Sequence, residues 1–187
     1  MLDKSLSIIT ILRVSDTRTV STILYPDSKN PHSAVVQTQK HLNALVMQGK
    51  LRRGSGFYAL PEYRGEYKEH DRAVTKCIAR LVLTKLPISI YREVSFPVGL
   101  RSDAVGIIGK NGKAICFVLE VANTEEPEYL NKKAVIWKNW NGATDAFSEL
   151  FKTSIPYFTL VVSGKSHPDM MDFNDFMEVV ENGPNCA

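Results

Sequence analysis

Two acidic residues within residues 101–140 have the types and spacing of a metal site next to a phosphate. Asp103 opens the apolar segment DAVGIIG, and Glu120 lies near the end of the segment AICFVLEVA. Both segments are rich in β-branched and apolar residues, which predicts two strands. Asn111 and Gly112 between them suit the positive φ angles of a type I′ turn. An antiparallel hairpin brings both carboxylates to one end, where oxygen ligands of this kind hold Mg²⁺ or Mn²⁺.

A predicted helix, EYLNKKAVIWKNW, follows Pro127 and carries lysines that can add positive charge to such a site. Lys132 and Lys133 point about 100° apart on a helix, so at most one of them faces the carboxylates. We expect Lys133 to face them, because Trp137 lies one turn later and would share its face.

Each acid also has a structural interpretation. Asp103 at a strand start can end strand pairing, and Glu120 at a strand end can be an ordinary solvated charge. Their combination on one hairpin edge favours a functional site.

The elements that position these residues are predicted from residue 71 onward. Helical spacing predicts a helix over 71–85, and alternation predicts a strand over 88–96. The hairpin and the lysine-bearing helix follow. A second helix over 144–152, a buried strand over 156–164 and a helix over 172–182 complete the pattern. This order predicts a mixed α/β (α+β) domain.

The first 64 residues are predicted to form a separate module of three helices and a β-hairpin. The helices cover 2–13, 17–25 and 34–48, with Ser15 or Asp16 as the cap of the second and Ser33 as the cap of the third. A basic strand, a Gly-Ser-Gly turn and an apolar strand follow. The polar segment 62–70 separates the two parts, so the predicted domains are 1–64 and 69–187.

Positive charge is concentrated in the first third of the chain. Residues 1–68 contain ten Lys or Arg and five Asp or Glu, whereas residues 69–187 contain thirteen and fifteen. The first part therefore carries +5 and the rest −2. This asymmetry favours a polyanion partner for the N-terminal module.

The composition indicates a globular protein. Of its 187 residues 44% are hydrophobic, enough for a core, and no apolar run approaches the roughly 18 residues that span a bilayer. Cys77, Cys116 and Cys186 are scattered, which argues against a disulfide framework or a zinc site. We expect a cytoplasmic protein without a membrane partner.

Residues 3–62 resemble winged helix-turn-helix modules, in which a third helix enters the major groove and the hairpin contacts phosphates. The resemblance implies that double-stranded DNA is the partner. The side chains expected to contact it are Gln37, Gln39 and Lys40 on the helix and Lys50, Arg52 and Arg53 at the wing. An ordinary solvated helix face or a protein-docking module are the alternatives.

Residues 69–165 resemble the PD-(D/E)XK nuclease-like fold, because an αβββαβ order has an acid opening its second strand and another closing its third. The segments RSDAVGII, FVLEVANTEE and LNKKAVIW, together with the winged helix, resemble the replication-relaxation family of plasmids, phages and integrating elements. The resemblance implies a restriction-endonuclease-like domain joined to a winged helix. It assigns metal ligation to Asp103 and Glu120, and a helical lysine to Lys133.

One departure from the nuclease pattern bears on activity. The position two residues after Glu120 is Ala122 where the pattern has lysine, and only a lysine from another element, such as Lys133, can replace it. We therefore expect a DNA-binding protein of a mobile genetic element, a replication or transfer accessory or a transcriptional regulator, with a degenerate nuclease-like domain.

Two alternatives to this function stay open. One is an active Mg²⁺-dependent endonuclease that uses Asp103, Glu120 and Lys133. The other is a protein-interaction module or inhibitor without nucleic acid. A second copy of the chain is a further candidate partner in each case.

Overall fold

The computed structural model describes residues 1–65, 67–110, 112–122 and 127–182 of the chain. It contains helices and two β-sheets, so the predicted mixed α/β class is confirmed. The chain forms two compact units, unit 1 (Met1–Leu83) and unit 2 (Thr84–Ala187). Within the described residues, none of the helices has the length and apolar character that a membrane span requires.

The helices and strands follow one another in the order α1 (Leu2–Leu12), β1 (Val14–Ser15), α2 (Thr17–Leu24), α3 (Pro31–Met47), β2 (Arg52–Gly54), β3 (Phe57–Ala59), α4 (Glu69–Leu83), β4 (Ile88–Ser95), β5 (Arg101–Lys110), β6 (Lys113–Val121), α5 (Pro127–Asn139), α6 (Ala143–Phe151), β7 (Thr159–Ser163), β8 (Met171–Asp172) and α7 (Phe173–Asn182). The two short strands β1 and β8 were not expected from the sequence. They contain too few residues to show an alternating pattern.

Unit 1 packs its helices with a three-stranded antiparallel sheet of order β1-β3-β2. Ala59 on the central strand β3 pairs with Val14 on one side and with Arg52 on the other. The helices bury one apolar face each, and their core includes Ile9, Leu12, Val20, Leu42 and Leu45. The predicted hairpin after the third helix is therefore present, and β1 adds a third strand to it.

The caps of α2 and α3 decide where these two helices begin. Asp16 accepts a hydrogen bond from the Thr19 backbone N–H at 2.9 Å, which confirms one of the two caps predicted for α2. The prediction that Ser33 caps α3 is wrong. Asn30 is the cap, because its Oδ1 accepts from the Ser33 N–H at 3.0 Å and Pro31 suits the first helical position.

Helix α4 belongs to unit 1, although it was expected to open the second domain. Its Thr75 hydroxyl donates to the Val14 carbonyl at 3.0 Å, and Asp71 Oδ2 accepts from the Tyr63 hydroxyl at 2.9 Å. The polar segment 62–70 is thus followed by a helix that packs back on unit 1. The division between the two units lies after Leu83.

Unit 2 is built on a five-stranded mixed sheet of order β4-β5-β6-β7-β8. Strand β5 runs antiparallel to both β4 and β6, and β7 runs parallel to both β6 and β8. Lys110 pairs with Lys113, so two residues connect β5 to β6 as predicted. Gly112 has a φ of 73°, which suits the predicted turn, while Asn111 lies outside the described residues.

Both faces of the unit 2 sheet are covered by helices. Val105 and Val118 join Trp137 of α5 and Phe147 of α6 in an aromatic cluster on one face. On the other face the Phe117 ring lies 5.1 Å from that of Phe176 on α7. Any side chain at Gly106 would meet the Phe117 ring, because an added Cβ would lie 2.3 Å from it. The sheet is therefore a buried layer, and this fixes which way the β5 and β6 side chains point.

The cysteines of the described residues are part of the apolar interior. Cys77 and Cys116 are both buried, as expected for core residues. Burial raises the pKa of the Cys116 thiol to about 12, so this thiol stays protonated and is a poor nucleophile. Cys186 lies outside the described residues.

Candidate functional site

The outward face of α3 in unit 1 combines amide, basic and apolar side chains. Gln37 and Lys40, two of the residues predicted to contact DNA, are exposed and lie about one turn apart. Val36 stands beside them and is 43% exposed. The opposite face of the helix is buried through Ala34, Thr38, Leu42 and Leu45.

This face lies in a stretch without negative side chains. Residues 28–61, which include α3 and the β2–β3 hairpin, contain five Lys or Arg and no Asp or Glu. Unit 1 as a whole contains thirteen Lys or Arg and seven acids, a net charge of +6, and unit 2 contains ten and thirteen, a net charge of −3. The positive charge is thus concentrated where a polyanion would meet least repulsion.

Gln39 points elsewhere, and its side-chain amide is engaged within unit 1. Its Oε1 accepts a hydrogen bond from the Thr17 hydroxyl at 3.0 Å. Its Nε2 donates to Asn43 Oδ1 at 3.2 Å and also contacts the Tyr58 hydroxyl. The Tyr58 hydroxyl donates to Asn43 Oδ1 at 2.6 Å. These contacts join α2, α3 and β3, so they fix how α3 is rotated about its own axis.

Arg52 of β2 is also held inside unit 1. Its guanidinium carbon lies 5.3 Å from the Phe57 ring centroid and 5.4 Å from that of Tyr63, within the range of cation–π contacts. Its Nη2 donates to the Gly65 carbonyl at 2.7 Å. Arg52 therefore ties the hairpin to the segment that follows it.

Lys50 and Arg53 are the two predicted hairpin cations that face solvent. The guanidinium carbon of Arg53 lies 5.9 Å from the Tyr58 ring centroid, and this contact orients the side chain without enclosing it. Of the six residues expected to contact DNA, four are consequently exposed on the surface of unit 1, namely Gln37, Lys40, Lys50 and Arg53.

In unit 2 the hairpin register brings the two predicted carboxylates to one edge of the sheet. Ala104 pairs with Leu119, so the preceding Asp103 and the following Glu120 stand at the same end of the hairpin. Asp103 Oδ2 accepts a hydrogen bond from the Val121 N–H at 2.7 Å, which holds the two strand ends together. By the alternation of a strand, both acids point to the sheet face covered by α5.

Lys133 of α5 reaches Glu120 from the neighbouring helix. Lys133 Nζ lies 2.6 Å from Glu120 Oε2, and the two side chains are 7% and 1% exposed. Such a charge-assisted hydrogen bond compensates the cost of removing both charges from water. Lys132 is exposed, so Lys133 is the lysine that shares the buried face of Trp137.

Tyr129 shields this ion pair on one side. The Lys133 ammonium lies 4.8 Å from the centroid of the Tyr129 ring. The other side of Tyr129 faces solvent, so this residue is about half exposed. The aromatic face stabilises the cation and excludes water from it. Together with the burial of Glu120, this contact makes the pair a closed arrangement.

Ala122 occupies the position of the lysine in the nuclease pattern. It is completely buried, and its backbone N–H donates to the Ser163 carbonyl at 2.8 Å. Its neighbours form an apolar cluster of Leu130, Ala134, Val162 and Met170. A lysine at this position would have to place its charge among these side chains.

The metal-binding capacity of this edge is limited. Asp103 and Glu120 supply the hard oxygen atoms that Mg²⁺ prefers, but a cation at Glu120 Oε2 would have to displace the Lys133 ammonium. No group of three His, Cys, Asp or Glu in the described residues is arranged to hold a metal ion. Residues 123–126, which follow this edge, lie outside the described residues. The described arrangement therefore fits Mg²⁺ or Mn²⁺ poorly.

Three residues of the candidate sites were identified from the structure and not from the sequence. Tyr58 connects β3 to α3, Tyr129 covers Lys133, and Val36 interrupts the polar face of α3. The two tyrosines give no sequence signal of these contacts, because each contact depends on tertiary packing. Val36 was detectable, since it lies one turn from Lys40 on a helix whose buried positions are otherwise periodic.

No protein-family model matches the chain, and no curated protein or solved structure matches it either.

Proposed function

We propose that this protein binds double-stranded DNA through unit 1, acting as a winged helix-turn-helix module, and that it does not cut the DNA. The order α1-β1-α2-α3-β2-β3 and the antiparallel β2–β3 hairpin support the winged-helix assignment. The observation that carries the proposal is the outward face of α3, which is polar, basic and part of a stretch of 34 residues without an acid.

The exposed residues take different roles in this proposal. Gln37 on α3 hydrogen-bonds base edges in the major groove, because an amide can both donate and accept there. Lys40, Lys50 and Arg53 contact phosphates and supply most of the affinity. Gln39 and Arg52, which were expected to contact DNA, hold α3 and the hairpin in position instead, since each side chain donates a hydrogen bond within unit 1.

Unit 2 is proposed to be a nuclease-like domain that has lost cleavage activity. Its antiparallel β4-β5-β6 followed by helices and the parallel strand β7 agrees with the βββαβ part of that fold. The helix that opens the nuclease-like pattern would be α4, which packs in unit 1. The closed Glu120–Lys133 pair and the apolar surroundings of Ala122 support the loss of activity. A net charge of −3 also disfavours extensive DNA contact by this unit.

One observation favours an endonuclease as the second candidate function. Lys133 stands beside Glu120, which is where a relocated catalytic lysine would be needed. In that case Asp103 and Glu120 would hold Mg²⁺ or Mn²⁺ after the ammonium had moved away from Glu120. The metal would polarise the phosphodiester and its attacking water.

The biological setting belongs to the same proposal. A DNA-binding unit joined to a nuclease-like unit is the arrangement of the replication-relaxation family, which we propose as the relatives of this chain. The protein would serve a mobile genetic element in replication, transfer or transcription, in the cytoplasm. Many winged-helix regulators bind as dimers, so a second copy of the chain is a proposed partner.

The test of the proposal compares two pairs of exposed cations. Affinity for a fluorescent 24-bp duplex of random sequence is measured by anisotropy for the wild type, for Lys40→Gln plus Arg53→Gln, and for Lys113→Gln plus Lys132→Gln. The second pair lies exposed on unit 2 and matches the charge change of the first. We expect a wild-type Kd of about 10⁻⁴–10⁻⁶ M or tighter, weakened at least tenfold by the unit 1 pair only.

Three outcomes contradict the proposal in different ways. Equal weakening by both pairs would mean that unit 2 contacts DNA as strongly as unit 1. Weakening by the unit 2 pair alone would reverse the assignment of the two units. An absence of duplex binding by the wild type would favour the protein-interaction module that works without nucleic acid.

A further inference from the structure

The exposed face of α3 carries an apolar side chain where a purely electrostatic DNA contact would need none. Val36 is 43% exposed, and the exposed polar residues Gln37 and Lys40 lie beside it on the same side of the helix. At 100° per residue these three side chains lie within about 100° of one another around the helix. They form one strip, opposite the buried residues Ala34, Thr38, Leu42 and Leu45.

The rotation of this strip is fixed by polar contacts on the flank of the helix. Thr17 of α2 and Tyr58 of β3 both hydrogen-bond to Gln39, and Tyr58 also donates to Asn43. Turning α3 to present Gln39 would break all of these contacts. Val36 and Gln37 therefore stay directed outward in the N-terminal half of α3, where Pro31, His32 and Ser33 are exposed as well. This is the half that reaches base edges in helix-turn-helix modules.

Thymine is the base whose chemistry matches this pair of side chains. It alone presents a methyl group in the major groove, and apolar side chains contact that methyl. Its partner adenine presents an acceptor and a donor that a glutamine amide can bond together. No carboxylate lies between residues 28 and 61, so no acid is present in this stretch to accept a hydrogen bond from the cytosine amino group.

We propose that α3 selects A·T base pairs, with Val36 contacting thymine methyl groups and Gln37 hydrogen-bonding adenine. This specificity rests on the proposed DNA-binding function and names the sequence class that unit 1 reads. Val36 is a specificity-determining residue, and Lys40 anchors the same strip to the neighbouring phosphate. Each thymine methyl that Val36 covers strengthens binding about three- to fourfold, the equivalent of burying one methylene-sized group.

The experiment removes the methyl group from the DNA and the side chain from the protein. Full-length protein selects duplexes from a random 20-bp pool, and the tightest duplex is then made with thymine or with uracil, which differ only in the methyl group. The Kd of each duplex is measured by anisotropy for the wild type and for Val36→Ala. Val135→Ala is the matched control, because Val135 is 53% exposed on a helix of unit 2.

We expect the wild type and Val135→Ala to bind the uracil duplex three- to tenfold more weakly than the thymine duplex. Val36→Ala should bind the two duplexes equally, with the affinity that the wild type has for the uracil duplex. Equal binding of both duplexes by the wild type, or undiminished discrimination by Val36→Ala, would overturn the specificity while leaving DNA binding in place. A wild type that binds no duplex in the pool would overturn the DNA-binding function itself.

Discussion

Lys133 Nζ and Glu120 Oε2 lie 2.6 Å apart, and both side chains are almost fully removed from solvent. The hairpin edge that was expected to hold a metal ion therefore holds an internal ion pair. Each charge stabilises the other in a medium where neither is stable alone. This relationship explains how unit 2 can bury an acid and a lysine side by side with neither charge exposed to solvent.

The first prediction concerns the stability of unit 2. Glu120→Gln should lower the free energy of unfolding by about 3 kcal/mol, because it leaves the Lys133 charge buried without its counter-ion. Replacing Glu120 and Lys133 together by Met should return the stability to within about 1 kcal/mol of the wild type. Urea unfolding followed by tryptophan fluorescence measures this in unit 2, which contains both tryptophans, Trp137 and Trp140.

The control for this prediction is Lys132→Met, which changes the exposed neighbouring lysine and should alter stability by less than about 0.5 kcal/mol. If the variant with Met at both positions were as unstable as Glu120→Gln, the ion pair would add to the free energy of unfolding beyond neutralising its two buried charges.

The second prediction concerns cleavage. The wild type should leave supercoiled and branched DNA uncut in Mg²⁺ and in Mn²⁺. Calorimetric titration with either metal should give the same heat for the wild type and for Asp103→Asn. This variant keeps an oxygen that can accept the Val121 N–H, so it removes the negative charge with little change in the fold. Nicking by the wild type that is lost in both Asp103→Asn and Lys133→Met would establish an endonuclease with a relocated lysine.

The third prediction concerns the contact between β3 and α3. Tyr58→Phe removes the hydroxyl that bonds Asn43 and Gln39, and we expect unit 1 to lose about 1–3 kcal/mol of stability. Hydrogen exchange of the α3 amides measures this loss locally. Tyr157→Phe, which removes the same hydroxyl from a side chain that is 58% exposed, should leave the exchange of α3 unchanged. Equal protection of α3 in all three proteins would mean that these hydrogen bonds do not hold the helix.

The fourth prediction is a pH dependence of unit 1 at high pH. Burial, and then the nearby Asp16 carboxylate, raise the pKa of Tyr67 to about 12 in the folded protein, compared with about 10 in an unfolded chain. Between these values the unfolded state has released a proton that the folded state keeps, so stability falls as the pH rises from 10 to 12. Circular dichroism unfolding at several pH values should show a steeper decline for the wild type than for Tyr67→Phe. The same decline of stability with pH in both proteins would contradict the raised pKa of Tyr67.

The hairpin of unit 2 illustrates what local sequence patterns can predict. Two β-branched segments joined by Asn-Gly required an antiparallel pair with a two-residue connection, and this placed Asp103 and Glu120 at one edge. Helical spacing was equally sufficient to choose Lys133 over Lys132, because Trp137 marks the buried face of α5. Both inferences depend on neighbours within a few residues of each other.

Contacts between distant segments could not be predicted in this way. Gln39 and Gln37 are equivalent in sequence, and the packing of the distant residues Thr17 and Tyr58 turns Gln39 inward and leaves Gln37 exposed. Helix α4 could pack on either unit, and its choice depends on partners such as Val14. The start of α3 was misplaced because Asn30 and Ser33 are both good caps, and Pro31 decides in favour of the earlier one.

The most direct test of DNA binding by unit 1 is the salt dependence of duplex affinity. The slope of log K, where K is the association constant, against log[KCl] should be about −2.7 or more negative for the wild type, because −2.7 is the value for three phosphate contacts. Lys50→Gln plus Arg53→Gln should reduce its magnitude by about 1.8, because two of those contacts are lost. A slope near zero, or the same slope in the wild type and the variant, would contradict the proposal that unit 1 binds DNA with its helix α3 and its β2–β3 hairpin.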